Sequence, residues 1–160
     1  MKVTPKTWLA LCAFVLVSFL AGAVGTMLAG PMPGQWYQSL AKPSFNPPAW
    51  VFGPVWSVLY LLIGVAAWQV WRTRGFGGAR AAMILFAFQW VLNAIWSGLF
   101  FGLERIDLGL VDIVALWVVI VAMVVAFFRA SVLAGVLILP YLLWVSFATV
   151  LNSALWWLNR

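Results

Sequence analysis

The side chains best able to do chemistry are aromatic rings and amides that recur every third or fourth residue within long apolar runs. Residues at this spacing lie on one face of a helix. Flat rings with a few polar groups suit planar apolar ligands, so the pattern predicts binding rather than catalysis. The alternative is ordinary packing, with Gln89 and Asn93 as interhelical hydrogen bonds. The candidate residues are Trp56 and Tyr60 in one run, Asn93 and Trp96 in another, and Trp144 and Ala148 in the last.

The long break between the first two apolar runs, residues 30–48, retains large aromatic side chains. A connecting loop normally lacks them, since nothing covers them there, and proline stiffens this segment by fixing φ. Such a loop is typical of a lid over an apolar site, or of rings anchored at the lipid headgroups. Lys42 is a further candidate, either for the acid groups of a ligand or for headgroups and solvent. The stretch includes Trp36, Tyr37, Phe45, Pro43, Pro47 and Pro48.

Several kinds of chemistry are missing from the chain, which has no histidine, one cysteine and three acidic residues. A metal or haem site would lack its usual ligands, and no serine–histidine or cysteine–histidine pair can form. We therefore expect no bound metal, no cofactor and no catalytic residue. Asp112 is the one acid well inside an apolar run, and its position near a helix amino terminus favours a structural role.

The elements that carry these residues are membrane helices. The chain is 66% hydrophobic and 8% charged, which is too apolar for a soluble domain of this length. A helix needs about 20 apolar residues to cross the hydrocarbon core. We predict an all-α fold in which a single domain, residues 1–160, forms a bundle of five transmembrane helices. The predicted helices cover residues 8–29, 49–71, 81–101, 108–128 and 132–157.

The basic residues predict how this bundle lies in the membrane. Lysine and arginine are enriched in cytoplasmic loops, so we expect a cytoplasmic amino terminus and an outer carboxy terminus. The membrane we expect is the bacterial cell membrane, and the alternative is an outer or organellar membrane, for which the inner side would be a different compartment. The aromatic loop then faces outward, and the net charge of +6 needs no nucleic-acid partner. One side carries Lys2, Lys6, Arg72, Arg74, Arg80 and Arg129, and the other carries Lys42, Arg105 and Arg160.

Depth along the helices brings the three aromatic faces together. At 1.5 Å per residue, Trp56 lies about 10 Å below the outer end of its helix, and Asn93 and Ala148 lie at about 14 Å. All three faces therefore belong to the outer half of the bundle, beneath the aromatic loop. This convergence predicts one ligand site there.

Four segments of the chain carry motifs of a known family. They are WYQSLAKPSFNPPAWVFGPVWSVLY at 36–60, QWVLNAIWSGLFFG at 89–102, LVD at 110–112 and PYLLWVSFATVLN at 140–152. In this order and spacing they resemble the translocator protein family, the tryptophan-rich sensory proteins formerly called peripheral benzodiazepine receptors. The resemblance covers all but the first helix closely, and it implies the family's architecture of five helices.

The resemblance implies a membrane receptor or sensor that binds tetrapyrroles such as protoporphyrin IX, and drug-like isoquinoline carboxamide or benzodiazepine ligands. The porphyrin would be a ligand rather than a cofactor. An alternative role in the family is porphyrin transport or light-dependent porphyrin breakdown, which keeps an enzyme-like activity open. Members often form homodimers, so we expect one here. The family's ligand contacts fall on Tyr37, Trp56, Tyr60, Asn93, Trp96, Trp144 and Ala148.

One part of the chain departs from the family pattern. The family is associated with cholesterol through a carboxy-terminal motif of leucine or valine, tyrosine and a basic residue. Here Ser153 stands at the tyrosine position, and Tyr141 is followed by no basic residue before Arg160. We therefore do not expect strong sterol binding.

Overall fold

The computed structural model describes residues 5–30 and 34–160, and it confirms the predicted all-α class with five long helices. Each of the five is long and apolar enough to cross a membrane. Lys2 and residues 31–33 of the predicted loop lie outside the described residues. The helices are α1 (Pro5–Ala29), α2 (Gln35–Ser39), α3 (Ala49–Gly78), α4 (Arg80–Ser97), α5 (Ile106–Ala130) and α6 (Val132–Leu158).

The five long helices form a ring in which each packs mainly against two neighbours, and α3 also contacts α4 and α5. Around the ring the order is α1, α3, α6, α5 and α4, which closes back onto α1. Successive long helices cross in alternating directions, so the bundle has two ends. The loop end carries residues 34–48 and the last residues of α6, whereas the basic end carries the α3–α4 and α5–α6 turns. The basic side chains of the basic end are Lys6, Arg72, Arg74, Arg80 and Arg129.

The half of the bundle towards the basic end contains a closely packed apolar core, which we term the basic-end core. Each of its side chains is at most 1% exposed. Atoms packed at this density make dispersion contacts on all sides, so this region stabilises the helix ring. Its members are Ile63, Ala66, Ala67, Val70, Ile120, Met123, Phe127, Ala134 and Ile138.

Two glycines hold α1 close to its neighbours. A Cβ at Gly64 would lie 2.6 Å from the Cα of Val15, so α3 and α1 meet at the backbone. A Cβ at Gly25 would lie 3.2 Å from Oγ of Ser97 at the end of α4. Small residues at such crossings permit the close approach by which membrane helices associate. The first helix is therefore an integral part of the ring.

Two irregular segments interrupt the helices. Gly75 has a φ of 63°, a left-handed conformation that favours glycine, and it ends the regular part of α3. At the far end of α4, residues Gly98–Gly102 form a π-helical turn. Such turns contain an extra residue and are frequent at functional sites. Here the turn leaves Phe100 buried, with 1% of its surface exposed. The apolar pattern of the sequence predicted neither break.

Candidate ligand-binding site

A chain of four hydrogen-bonded side chains joins α3, α4 and α6. The Tyr60 hydroxyl donates to Oδ1 of Asn93 (2.9 Å), whose Nδ2 donates to the Tyr141 hydroxyl (3.2 Å). The Tyr141 hydroxyl donates in turn to Oε1 of Gln89 (3.0 Å). Both amides are buried, and a buried amide left unpaired would cost about 1–3 kcal/mol. Gln89 and Asn93 therefore form interhelical hydrogen bonds, as one of the two sequence interpretations predicted.

Aromatic rings surround the α3 end of this chain. Trp56 stacks on Tyr60, with ring centres 5.3 Å apart and planes at 29°, and it meets the Tyr141 ring edge-on at 6.2 Å. Tyr60 also lies against Gly22 of α1, where a Cβ would come within 2.6 Å of the ring. Sequence analysis did not include Tyr141 in the site, although a phenol within the apolar run of α6 was an available signal.

A second group of contacts surrounds Trp96, nearer the loop. Its indole N–H donates to Oδ1 of Asn152 (3.3 Å), and its ring stacks on Phe100 with centres 5.0 Å apart and planes at 20°. Asn152 is itself anchored, because its Nδ2 donates to the Ile106 carbonyl (3.1 Å). Sequence analysis missed Phe100, since helical periodicity assumes a regular helix and this ring lies on the π-helical turn.

The described part of the first loop packs onto this second group. Tyr37 meets the rings of Phe100 and Phe101 edge-on at 6.2 and 5.4 Å, and its hydroxyl donates to Oδ1 of Asn46 (3.2 Å). Burial raises the pKa of the Tyr37 phenol, so the group remains a neutral donor near pH 7. Trp50, by contrast, is 75% exposed. Trp50 belongs to the first turn of α3, whereas Tyr37 of the loop covers the rings of Phe100 and Phe101.

The loop is also tied to the end of α6. The Ala41 N–H donates to Oδ1 of Asn159 (2.9 Å), and Nδ2 of Asn159 donates back to the Ala41 carbonyl (3.0 Å). Lys42 follows directly, and its Nζ donates to two loop carbonyls at 3.1 and 3.0 Å. The same ammonium group lies 4.9 Å from the centre of the Tyr37 ring. The cation is therefore held against the aromatic rings at the loop end.

Trp144 lies at the edge of the aromatic region and has an unpaired indole N–H. Its ring contacts Phe52 at 5.9 Å and Phe147 at 5.5 Å, but its buried Nε1 has no hydrogen-bond partner among the described residues. A buried donor left unpaired costs about 1–3 kcal/mol. A ligand atom that accepted a hydrogen bond from this N–H would remove that cost. Ala148 follows one turn later and is half-buried beside the same cluster.

An apolar groove lies beside Trp144 on the outside of the bundle, between α3 and α6. Its volume is about 560 Å³, which is in the range of sites for drug-sized ligands. None of its described lining residues carries a charge or an amide side chain. We term it the lateral groove. Its lining includes Pro54, Val58, Leu59, Pro140, Leu143 and Trp144.

Asp112 is a buried acid in the second turn of α5. It is 7% exposed, and its Oδ2 accepts no hydrogen bond from any described residue. The role proposed from sequence, an acid at a helix amino terminus, describes Asp107 better. That carboxylate lies in the first turn of α5 and accepts a hydrogen bond from Nε of Arg105 (2.8 Å). Asp112 lies in the second turn, where the helix dipole acts less strongly.

The structure brings the predicted site residues into two contact groups that share Trp96, which packs against both buried clusters. Trp56, Tyr60, Trp144 and Ala148 border the first cluster, whereas Tyr37 borders the second. Asn93 links the first group to Tyr141 by hydrogen bond. We term the predicted set the aromatic site. It comprises Tyr37, Trp56, Tyr60, Asn93, Trp96, Trp144 and Ala148.

Five apolar helices around rings and paired amides define a small polytopic helical membrane protein with a buried aromatic cluster. Its aromatic loop, its π-helical turn and its amide network lie on the segments whose motifs resemble the translocator proteins. The chain belongs to the TspO/MBR family, whose model matches residues 13–158. The family predicted from sequence is therefore confirmed.

Relatives from bacteria and from a mammal match most of the chain. It is 43% identical over 157 residues to tryptophan-rich protein TspO of Chlorobaculum tepidum, covering 94% of this chain and 95% of the relative. It is 40% identical over 140 residues to the tryptophan-rich sensory protein of Cereibacter sphaeroides (86% and 87%). It is 36% identical over 152 residues to the translocator protein of Homo sapiens (93% and 89%). These names support a membrane sensor or translocator role in the family.

Proposed function

We propose that this protein is a membrane receptor or sensor that binds tetrapyrroles such as protoporphyrin IX at the aromatic site. The same site would take drug-like isoquinoline carboxamide or benzodiazepine ligands. The observation that carries the proposal is the meeting of rings from α3, α4, α6 and the first loop in one half of the bundle. Flat walls with few polar groups suit a flat apolar ligand.

The residues of the aromatic site have different roles in this proposal. Trp144 offers a stacking face and an unpaired N–H, and Ala148 leaves space beside that face. Trp56 and Trp96 offer further ring surfaces, on which a macrocycle gains contact area and favourable stacking geometry. Asn93 is already paired within the bundle, so it holds the wall in place and contacts the ligand through its flat amide.

Lys42 is proposed to meet the acid groups of a porphyrin. Its ammonium lies against Tyr37 at the loop end, where the polar edge of a buried macrocycle would approach water. Lys42 donates to two backbone carbonyls, and the third N–H of its ammonium group could donate a charge-assisted hydrogen bond to a carboxylate. The lysine would thereby select acidic tetrapyrroles over uncharged ligands.

A binding titration tests the proposal. Purified protein in lipid nanodiscs is titrated with protoporphyrin IX, and quenching of tryptophan fluorescence reports the Kd. We expect saturable binding that Trp144→Ala weakens. The control Trp157→Ala removes a tryptophan that is 60% exposed at the end of α6, and it should leave the Kd unchanged. Absence of saturable binding, or an equal loss in both variants, would contradict the proposal.

The same preparation distinguishes a receptor from the alternative roles in the family. Vectorial flux of protoporphyrin into liposomes that contain the protein would identify a transporter. Light-dependent loss of porphyrin absorbance, absent without protein, would identify a degrading protein. For a receptor we expect both rates to match those of protein-free liposomes.

We propose that the amino terminus is cytoplasmic and the loop end faces outward in the bacterial cell membrane. The support is the excess of lysine and arginine at the basic end. In a Cys12→Ser background, Ser39→Cys should react with an impermeant maleimide added to intact cells. Gly77→Cys, at the basic end, should react only after lysis. The opposite pattern would invert the orientation.

We also propose that the protein is a homodimer, which rests on the family resemblance of the chain. Chemical cross-linking in native membranes should trap a species of twice the chain mass. Sedimentation of the detergent-solubilised protein should give the same mass. Monomers in both measurements would contradict the proposal.

A further inference from the structure

The lateral groove opens along two helices that span the membrane. Val58 and Leu143 at its rim are 56% and 70% exposed, whereas Leu59 at its floor is 3% exposed. Because α3 and α6 are both long and apolar enough to cross the bilayer, the mouth of the groove faces hydrocarbon. An apolar molecule dissolved in the bilayer can reach this groove without crossing a polar layer.

Trp144 separates the lateral groove from the aromatic rings inside the bundle. It lines the groove, and it also contacts Phe52, which packs against the buried cluster around Phe100. No described residue accepts a hydrogen bond from its indole N–H. The indole is therefore held by packing alone, and it can rotate about its side-chain bonds without breaking a hydrogen bond.

The loop end offers a less direct route to the same rings. The described part of the loop is joined to α6 by the reciprocal hydrogen bonds of Ala41 and Asn159. Tyr37 adds a hydrogen bond within the loop and edge contacts to Phe100 and Phe101. A ligand that entered between the described part of the loop and α6 would have to break these polar contacts and displace the half-buried Tyr37 ring.

We infer that the planar apolar ligand reaches the aromatic site from the bilayer, through the lateral groove, with Trp144 as the side chain that moves aside. This inference rests on the proposed function, because it concerns the route of the same ligand. The molecule that passes through the groove is a flat macrocycle with an apolar ring and acid groups on one edge. Its ring fits the uncharged lining, while its acid edge remains towards the loop end and Lys42.

The first test narrows the groove and measures rates. Protoporphyrin IX is mixed with protein in nanodiscs, and its fluorescence is followed by stopped flow. Val58→Phe at the exposed rim should slow association and dissociation by about tenfold each, because the ligand must now displace an added ring, and leave the Kd unchanged. Leu143→Phe provides a second rim variant, and both are checked for folding by thermal unfolding. The matched control is Val118→Phe, since Val118 on α5 is 55% exposed and does not line the groove.

The second test locks the loop. In the Cys12→Ser background, Ala41→Cys and Asn159→Cys are joined by a disulfide or a short cross-linker, with completion verified by mass spectrometry. Both rates should equal those of the uncross-linked protein, because the loop does not open during lateral access. Loss of binding on cross-linking, together with normal rates in both rim variants, would place the route at the loop and overturn the inference.

Failure of the proposed function has a different signature. If the unmodified protein shows no saturable protoporphyrin binding at equilibrium, the proposed function is wrong and the route falls with it. If binding is saturable but neither rim variant changes either rate, the function stands and the lateral route alone is overturned.

Discussion

The basic-end core and the aromatic site are built from the same helices but are packed differently. The core contains mainly small and aliphatic side chains, each at most 1% exposed. The aromatic site contains large rings and paired amides, and it borders a groove of about 560 Å³. The two buried side-chain atoms without partners among the described residues, Oδ2 of Asp112 and Nε1 of Trp144, belong to residues nearer the loop end.

This difference indicates that the two halves of the bundle have different roles. The half towards the basic end is suited to stabilising the fold, and the half towards the loop end is suited to binding a ligand. Small and aliphatic side chains interdigitate without voids, and the contacts they make contribute to stability. The half towards the loop end borders the lateral groove, and its unpaired polar atoms lower stability. A region that keeps such features is suited to gain contacts from a ligand. Substitutions in the core should therefore reduce stability, whereas substitutions in the aromatic site should reduce binding.

The largest effect is expected in the basic-end core. Ile120→Ala removes a fully buried side chain from a region without space to collapse, so unfolding should be easier by about 2–5 kcal/mol. Thermal unfolding in detergent measures this loss, and Val118→Ala, at a 55% exposed position two residues away, is the control. The Kd for protoporphyrin in the folded fraction should be unchanged. Equal unfolding temperatures for Ile120→Ala and Val118→Ala would show that the basic-end core contributes no more to stability than an exposed position does.

A smaller loss of stability is expected where the two regions meet. Tyr141→Phe deletes the hydroxyl that accepts from Asn93 and donates to Gln89, leaving two buried amides short of a partner at about 1–3 kcal/mol. Tyr37→Phe deletes a half-buried hydroxyl in the loop and should cost about 0.5–1.5 kcal/mol. Unfolding of the two variants under the same conditions compares them. We expect the larger loss of stability in Tyr141→Phe. A larger loss in Tyr37→Phe would show that the hydrogen-bond network around Tyr141 does not stabilise the bundle.

Substitutions in the aromatic site should weaken ligand binding more than they lower the stability of the fold. Trp144→Ala removes a stacking surface worth about 0.5–1.5 kcal/mol beyond its area, and Ala148→Phe fills the space beside it. Both variants should bind protoporphyrin more weakly, and Trp144→Ala should lose less stability than Ile120→Ala because Trp144 is only partly buried and its indole N–H makes no hydrogen bond to lose. Unchanged affinity in both variants would move the site out of the helical bundle.

The charge at the loop end should have a smaller effect that depends on salt. Lys42→Gln removes a cation, and an exposed ion pair contributes about 0.2–1 kcal/mol. Protoporphyrin binding should weaken more at low salt than at high salt, because salt screens exposed charges. An uncharged drug-like ligand should be unaffected. A loss shared by both ligands would indicate a disturbed loop, and no loss for either would remove Lys42 from the site.

For haemin we expect no axial ligation at all. The chain has no histidine, and the aromatic site offers ring faces rather than metal ligands, so bound haemin should give no low-spin absorption spectrum. A low-spin spectrum that disappears in Cys12→Ser or in variants of the methionines would show that the protein does ligate iron. The site would then supply an iron ligand in addition to aromatic ring faces.

Particular residues show how far the site could be predicted. Trp56 and Tyr60 were expected on one face from their interval of four residues, Asn93 was expected at a similar depth, and the three lie in one contact group. Phe100 was missed because it lies on a π-helical turn, where regular periodicity fails. Tyr141 was missed because its partners come from α4, and one chain's spacing does not state which face of one helix meets which face of another. The loop residue Tyr37 came from the family motif, and its contact with Phe100 became visible only in the structure.

The sequence by itself determined that the chain is a bundle of five membrane helices, which family it belongs to, and which residues share a face on each helix. Those properties depend on local hydrogen bonding between residues four apart and on the length of apolar runs. The tertiary structure decided that Asn93 is paired on both sides, that the Trp144 indole is not, and that α3 and α6 leave a groove between them. These outcomes depend on the rotation and crossing of helices distant in sequence, which are set by the packing of all their side chains at once.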